Sequence, residues 1–390
     1  MAPGENETDV QTPRKRLIIK SATGGPKLTS TQTPATQFEV AEPPKDAMSA
    51  LVFAPDAANR LLVSSWDKNL YLYEVGEGTD ETKLIKTYPH RAALLNVCFG
   101  ANENEAFTAG GDMRVMRIDL ETGEQTVISK HKEPVRCVVY SREHSILISA
   151  SWDLTLHIHN LADRSSPSSP LEIKLPGKPH AMSTSPSKVV VAMTARLVHI
   201  YDLPTIAAAL AKFDGTNAAE IDIQPWQQRE SSLKFLTRAV SCMPNDAGYA
   251  TSSIEGRVAV EWFEDTAESQ ARKYAFKCHR QAAPEEEGSI DIVYPVHALA
   301  FHPVYGTFAS GGGDGTVALW DAEAKRRMRQ YQKFPESVAA LSFSSDGKYL
   351  AIGVCPGFET GKMEDYTGEG RTKVFIRELG ETEAKGKGPK

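Results

Sequence analysis

Short apolar stretches alternate with polar turns along most of the chain, at the two-residue period of half-buried β-strands. Residues 50–53, 135–140, 298–301 and 339–343 each precede a polar turn, and 61–64, 146–149, 307–310 and 349–352 follow it. A turn of small residues ending in Asp then reverses the chain into a third strand. It reads Ser64-Ser65-Trp66-Asp67, Ala109-Gly110-Gly111-Asp112, Ala150-Ser151-Trp152-Asp153 and Gly312-Gly313-Asp314-Gly315. A carboxylate suits this place because it accepts backbone N–H groups that a tight turn leaves unpaired. These aspartates therefore read as structural devices, not as a row of catalytic acids.

Asp67, Asp112 and Asp153 lie 45 and 41 residues apart, the period of a propeller blade made of four short antiparallel strands. Seven units are predicted, over 48–78, 83–122, 124–163, 171–204, 228–266, 274–324 and 326–378. The fourth is degenerate, with Thr194-Ala195-Arg196 at its turn, and the fifth uses Glu255-Gly256-Arg257. A strand at 38–40 has no blade of its own, so it is expected to pair with the last blade and close the ring. The propeller is thus read as one all-β domain over 38–379. Insertions are read at 205–226, with a short helix over 205–212 on a surface loop, and at 356–370 in the last blade. Residues 1–37 and 380–390 are polar and charged without a sustained apolar period, and are expected to be disordered tails. Pro13-Arg14-Lys15-Arg16 reads either as an import signal or as a solvated tail.

Composition narrows the classes. A net charge of −6 argues against a general nucleic-acid coat, which needs a basic excess. Five cysteines without a C-x-x-C pair fit reduced thiols better than a disulfide or zinc framework. No apolar run reaches the length of a membrane span, and a soluble intracellular protein is expected. His157 and His159 are spaced to chelate a metal, but no third ligand stands at useful spacing, so neither a metal nor a cofactor is expected. Cys278 and His279 are neighbours on a strand and point to opposite faces, so they do not form a nucleophile–base pair. No hydrolase elbow, P-loop or kinase signature is present. An enzyme built on the central channel would need convergent carboxylates or histidines there, and the turn aspartates do not supply them.

The segment from Arg229 to Arg280 departs from the repeat and carries Lys234, Arg238, Arg257, Lys277 and Arg280 beside strands and turns. Lys234 and Arg238, four residues apart, would share one face if both lay on a strand. Phe235, Val258, Val260 and Phe276 read as residues that hold the blade. Trp66 and Trp152 sit at turns, where a tryptophan either contacts a partner from the rim or packs beneath it.

The layout resembles the WD-repeat β-propeller family. Trp320-Asp321 stands at the family's end-of-strand position, filled elsewhere by Tyr73, Ile118, His159 and Tyr201. The resemblance also implies structural histidines bonded to the turn aspartates, for which His90, His131 and His297 are the candidates. Within the family, the Trp66 and Trp152 turns, the 228–280 block and the run from Phe301 to Gly312 resemble the spindle-checkpoint group known as budding uninhibited by benzimidazoles, third member. The WD-repeat RNA-export factors are its sister group and fit the 229–280 block less well. The resemblance covers roughly 38–378.

It implies a non-enzymatic adaptor of the nucleus and the mitotic kinetochore. Members bind a short motif, termed GLEBS, in a checkpoint kinase and its kinase-like relative. They dock on phosphorylated Met-Glu-Leu-Thr repeats of a kinetochore scaffold and join the inhibitor of the anaphase-promoting ubiquitin ligase. Arg238 and Arg257 match the family's phosphothreonine-contacting arginines, with Lys234 as a further contact. Always-charged planar guanidiniums suit a dianionic phosphate; the alternative is solvated arginines paired with Glu255 or Glu261. Trp66 and Trp152 would pack against partner peptide, and Lys277 and Arg280 would meet acids of the kinase motif.

Overall fold

The computed structural model describes residues 37–76, 82–162, 169–216, 221–281, 291–357 and 370–387, with the backbone of Ile18–Ile19. It contains seven four-stranded antiparallel sheets arranged as the blades of a propeller. In the first, Met48–Phe53, Arg60–Ser65, Asn69–Glu74 and Lys83–Pro89 run in chain order from the axis outwards. The last consists of Ser337–Phe343, Tyr349–Cys355 and Lys373–Glu378, with Gln37–Glu39 as its outer strand. That N-terminal strand pairs antiparallel with Lys373–Glu378, Phe38 facing Ile376. Val40 N–H extends the ladder to Val374 O at 2.8 Å. The ring is thereby closed by hydrogen bonds between the two ends of the domain.

Seven buried apolar clusters fill the seven interfaces between neighbouring blades. The alternation seen in the sequence is therefore buried on both faces of the middle strands, as in Leu61, Leu62 and Val63, all fully buried. Each blade depends on two neighbours for its core, so the ring is stable only when complete.

Polar cross-links add to this packing. In the sixth blade His279 Nδ1 bonds Asp314 Oδ1 at 2.8 Å, its Nε2 meets Ser310 Oγ at 2.9 Å, and Trp320 Nε1–H donates to the same Ser310 Oγ at 2.8 Å. Four side chains from three segments are thus satisfied out of water. Burial alone raises the Asp314 carboxyl, but the bonds from His279 and Thr316 outweigh it and hold the group below its ordinary range. The third blade has a related set, with His131 between Asp153 (3.2 Å) and Ser149 (2.9 Å) and His157 stacked on the His131 ring. His157 Nδ1 lies 2.7 Å from Ser129 Oγ. His90 meets Thr108 Oγ1 at 3.0 Å.

Several expectations need correction. The structural histidine of the sixth blade is His279, not His297, because the Cys278–His279 segment leads into that blade and His297 lies on its inner strand. The units read from the sequence run out of phase with the blades. Lys83–Pro89, Gln125–Lys130 and Gln227–Glu230 each complete the preceding sheet as its outer strand. Arg229 therefore belongs to the fourth blade.

The helix spans Leu203–Leu210, capped by Asp202 accepting from Thr205 N–H, and buries Ile206 and Leu210 in the core between the third and fourth blades. A second short helix, Ala267–Arg272, was not foreseen. Residues 380–387 fold back instead of fraying: Ala384 is buried, Thr307 Oγ1 donates to its carbonyl at 2.7 Å, and Lys387 N–H donates to Asp321 Oδ2 at 2.9 Å. Glu383 accepts from Tyr331 at 2.7 Å and from Arg377 at 2.9 Å. Ile18–Ile19 pairs in parallel with Ile292–Val293 within the expected N-terminal tail. Pro13–Arg16 and most of the 356–370 insertion lie outside the described residues.

Two outcomes follow for stability. His279→Ala, which takes one buried hydrogen bond each from Asp314 and Ser310, should cost about 2–4 kcal/mol in urea unfolding, whereas His297→Ala should stay within about 1 kcal/mol. His157 is pushed down to about 4, first by burial and then by His131 beside it. The unfolded imidazole, near 6.5, takes up its proton first. The contribution of His157 is therefore full above pH 6.5 and is lost as pH falls from there towards 4. The loss is about 3 kcal/mol, and His157→Gln should remove it from the pH profile of the urea midpoint.

Candidate functional site: the channel mouth and the 254–257 turn

Seven sheets converging on one axis crowd their inner strands, and every inner strand answers with one β-bulge near its start. The residue skipped by the ladder is Ser49, Leu95, Arg136, His180, Arg238, His297 and Ala339 in turn. A bulge bends the strand and re-aims one side chain, and all seven of these line the central channel. The following residue is always small or compact: Ala50, Asn96, Cys137, Ala181, Ala239, Ala298 or Ala340. Arg238 thus owes its place to the bulge between Thr237 and Ala239. Its Nε–H donates to His297 Nδ1 at 3.1 Å.

The channel opens at one end into a mouth of about 680 Å³, walled by Trp66, Trp152, Leu236, Ile254, Pro295 and Arg238. Both tryptophans are held there by their turns. Asp67 accepts from Lys45 N–H, Asn69 N–H and Tyr71 O–H, at 2.9, 3.0 and 2.6 Å. These bonds fix the preceding Trp66, which stays 38% exposed. Asp153 accepts from Lys132 N–H and Thr155 N–H in the same way beside the half-buried Trp152. Of the two roles left open by the sequence, the rim position is the one observed for Trp66.

Beyond Ile254 the same wall becomes basic. Gly256 takes φ +64°, and a Cβ there would lie 2.7 Å from Cys278 O, so this turn requires glycine. The tight turn starts the strand Arg257–Trp262, in which Arg257 stands opposite Lys277. Arg257 Nε lies 3.7 Å from Glu255 Oε2, so the solvated-pair alternative holds in part. At that distance, with a third of the arginine side chain exposed, the contact leaves the guanidinium able to accept a further anion.

Lys234 is in an irregular segment and not on the strand, which starts at Thr237, so its expected shared face with Arg238 does not exist. Its backbone N–H donates to Glu255 Oε1 at 3.3 Å, which brings it to the turn by another route. Arg280 is mostly buried, donates to Glu255 O at 2.9 Å and lies 3.9 Å from Asp291, so it braces the turn from below. Phe235 is 44% exposed and does not hold the blade, unlike Val258 and Val260.

The structure therefore unites Trp66, Trp152 and Arg238 at the mouth, and Lys234, Arg257, Lys277 and Arg280 around the adjoining turn. Sequence reasoning missed Arg136, His180 and His297 as channel residues. It weighed only the turn aspartates as channel groups, whereas two histidines, His180 and His297, line the channel. Gly256→Ala should cost about 1–3 kcal/mol and displace Arg257; thermal unfolding together with peptide binding by the variant checks both.

Residues 123–160 and 293–321 match the WD domain, G-beta repeat family. The chain is 40% identical over 360 residues to the mitotic checkpoint protein BUB3.1 of Arabidopsis thaliana, covering 92% of this chain and 97% of that protein. It is 34% identical to the mitotic checkpoint protein bub-3 of Caenorhabditis elegans, over 90% and 96% of the two chains. The poly(A)+ RNA export protein of Schizosaccharomyces pombe is 31% identical over 85% and 88%. With its seven blades and its similarity to checkpoint proteins over nearly its whole length, the chain belongs to the WD-repeat family and, within it, to the BUB3 mitotic checkpoint proteins.

Proposed function

We propose that this protein is a non-enzymatic scaffold of the spindle checkpoint whose channel mouth and 254–257 turn receive extended acidic or phosphorylated peptides. The observation that carries the reading is the continuity of the two halves of the site. An apolar pocket walled by Trp66 passes at Ile254 into a turn where Arg257 lies 3.7 Å from Glu255 and Arg280 3.9 Å from Asp291, with Lys234 and Lys277 beside it in the chain and the sheet. A peptide with an apolar anchor followed by an acidic or phosphorylated residue fits that order of chemistry. The anchor supplies desolvated contact, and the phosphate gains charge-assisted bonds from Arg238 and Arg257.

On this reading the apolar half takes the short motif of a checkpoint kinase and its kinase-like relative, with Lys277 at the exposed edge. The arginines read phosphorylated Met-Glu-Leu-Thr repeats at kinetochores, with Lys234 as a helper. The protein then acts in the nucleus and, in mitosis, at kinetochores, within the complex that restrains the anaphase-promoting ubiquitin ligase. Phosphorylated Met-Glu-Leu-Thr peptide should bind at least tenfold tighter than its unphosphorylated form. An Arg238→Ala, Arg257→Ala double variant should lose that preference in calorimetric titration. Equal affinity for the two peptides, or an unchanged double variant, would contradict the reading.

A second reading, an adaptor in RNA export, draws on the similarity to the poly(A)+ RNA export protein and on the basic outer strand Arg326–Gln330 of the sixth blade. RNA binding that falls steeply with salt and is lost on neutralising Arg326, Arg327 and Arg329 would favour it.

A further inference from the structure

Below the mouth, the channel narrows to a waist of about 160 Å³ walled by the bulge residues and the inner strands beneath them. Its polar groups come largely from one arc of consecutive blades, the second to the sixth: Asn96, Arg136, His180, Arg238 and His297. No carboxylate lines the waist or the mouth among the described residues. Several other arginines of the chain stand beside acids, as Arg117 beside Glu105 at 2.8 Å and Arg371 beside Glu336 at 2.8 Å.

The hydrogen-bond roles on the arc point the same way. Asn96 Oδ1 already accepts from Val138 N–H at 3.0 Å, so its remaining groups are the amide donors. His297 Nδ1 accepts from Arg238, which puts the ring proton of a neutral imidazole on Nε2 as a donor. Arg136 spends one nitrogen on Leu95 O at 3.1 Å and keeps its other donors. His180 Nε2 is shielded from solvent and has no hydrogen-bond partner. A buried ring nitrogen without a partner marks either a cost to the fold or the place of a ligand. The waist is thus a cage of donors and positive charge, with room for a tetrahedral anion and bridging waters.

We propose that the waist of the channel binds a small free oxyanion of the phosphate class, held by Arg136, His180, Arg238 and His297. Charge-assisted bonds from two arginines and two imidazoles would satisfy His180 and relieve the repulsion between the cations. His180 is absent from the walls of the mouth and takes no part in the peptide reading above, so the two proposals can fail separately. Bound anion would stiffen the inner strands of the third to sixth blades beneath the peptide site.

The full chain would be titrated with inorganic phosphate at constant ionic strength, with chloride as the reference ion. The imidazole signals of His180 and His297 would be followed by NMR, alongside the thermal midpoint. Saturable shifts at both histidines with phosphate alone, and a midpoint that rises with its concentration, are expected. His180→Ala should weaken this binding about tenfold, read at His297, and leave phosphopeptide affinity nearly unchanged. Ala339→Asp, which places a carboxylate in the waist without removing any donor, should abolish it. Arg257→Ala, on the outer turn, should not affect it. Absence of a saturable response, a response matched by chloride, or phosphate binding lost in Arg257→Ala but kept in His180→Ala would each overturn the proposal.

Discussion

The convergence of seven sheets on one axis governs both the stability and the chemistry of this protein. Inner strands that radiate from a common centre cannot all present ordinary side chains inwards. Each one instead inserts a single bulged residue, followed by a small one such as Ala50, Cys137 or Ala298, so that its neighbours can approach. Because a bulge turns one side chain out of the ladder's alternation, the same packing device chooses what lines the channel. Arg136, His180, Arg238 and His297 reach the channel through geometry imposed by closure of the ring.

That closure sets the rules for the rest of the molecule. Every blade shares its core with two others, and the final hydrogen bonds come from strand Gln37–Glu39 on Lys373–Glu378. The His279–Asp314–Ser310–Trp320 network and the Glu383 clasp with Tyr331 and Arg377 brace the sixth and seventh blades. The first of these lies in the blade whose inner strand carries His297. Rigidity there matters, because a phosphate-reading arginine is selective only if its donors are already placed when the ligand arrives.

Much of this was legible in the chain. The turn aspartates, the period between them and the alternation of apolar residues identify a seven-bladed propeller, and the orphan strand at its start identifies how it closes. What could not be read was phase. A repeat has no punctuation that says whether an outer strand such as Lys83–Pro89 ends one blade or opens the next; only sheet pairing decides it. The same ambiguity misassigned the structural histidine, because His279 and His297 both precede an apolar strand and only the path of the chain separates them.

The channel residues did leave a trace. A long or polar residue followed by Ala, Cys or Asn at the second position of the first strand occurs in six of the seven blades, as Ser49-Ala50, Leu95-Asn96, Arg136-Cys137, His180-Ala181, Arg238-Ala239 and His297-Ala298. Alternation alone hides it, because a bulge breaks the period it would be judged by. The docked 380–387 segment left less, since its hold on Thr307 and Asp321 runs largely through backbone groups that composition does not reveal.

The claim on which the account stands is that one end of the channel, with the turn beside it, is the peptide-binding face. Backbone amide shifts measured by NMR as phosphorylated Met-Glu-Leu-Thr peptide is added test it most directly. The account predicts that the perturbed amides cluster at 234–238, 254–257 and 277–280 and around Trp66 and Trp152. Perturbations centred on the opposite face, at the 243–247 and 302–306 turns, would contradict it.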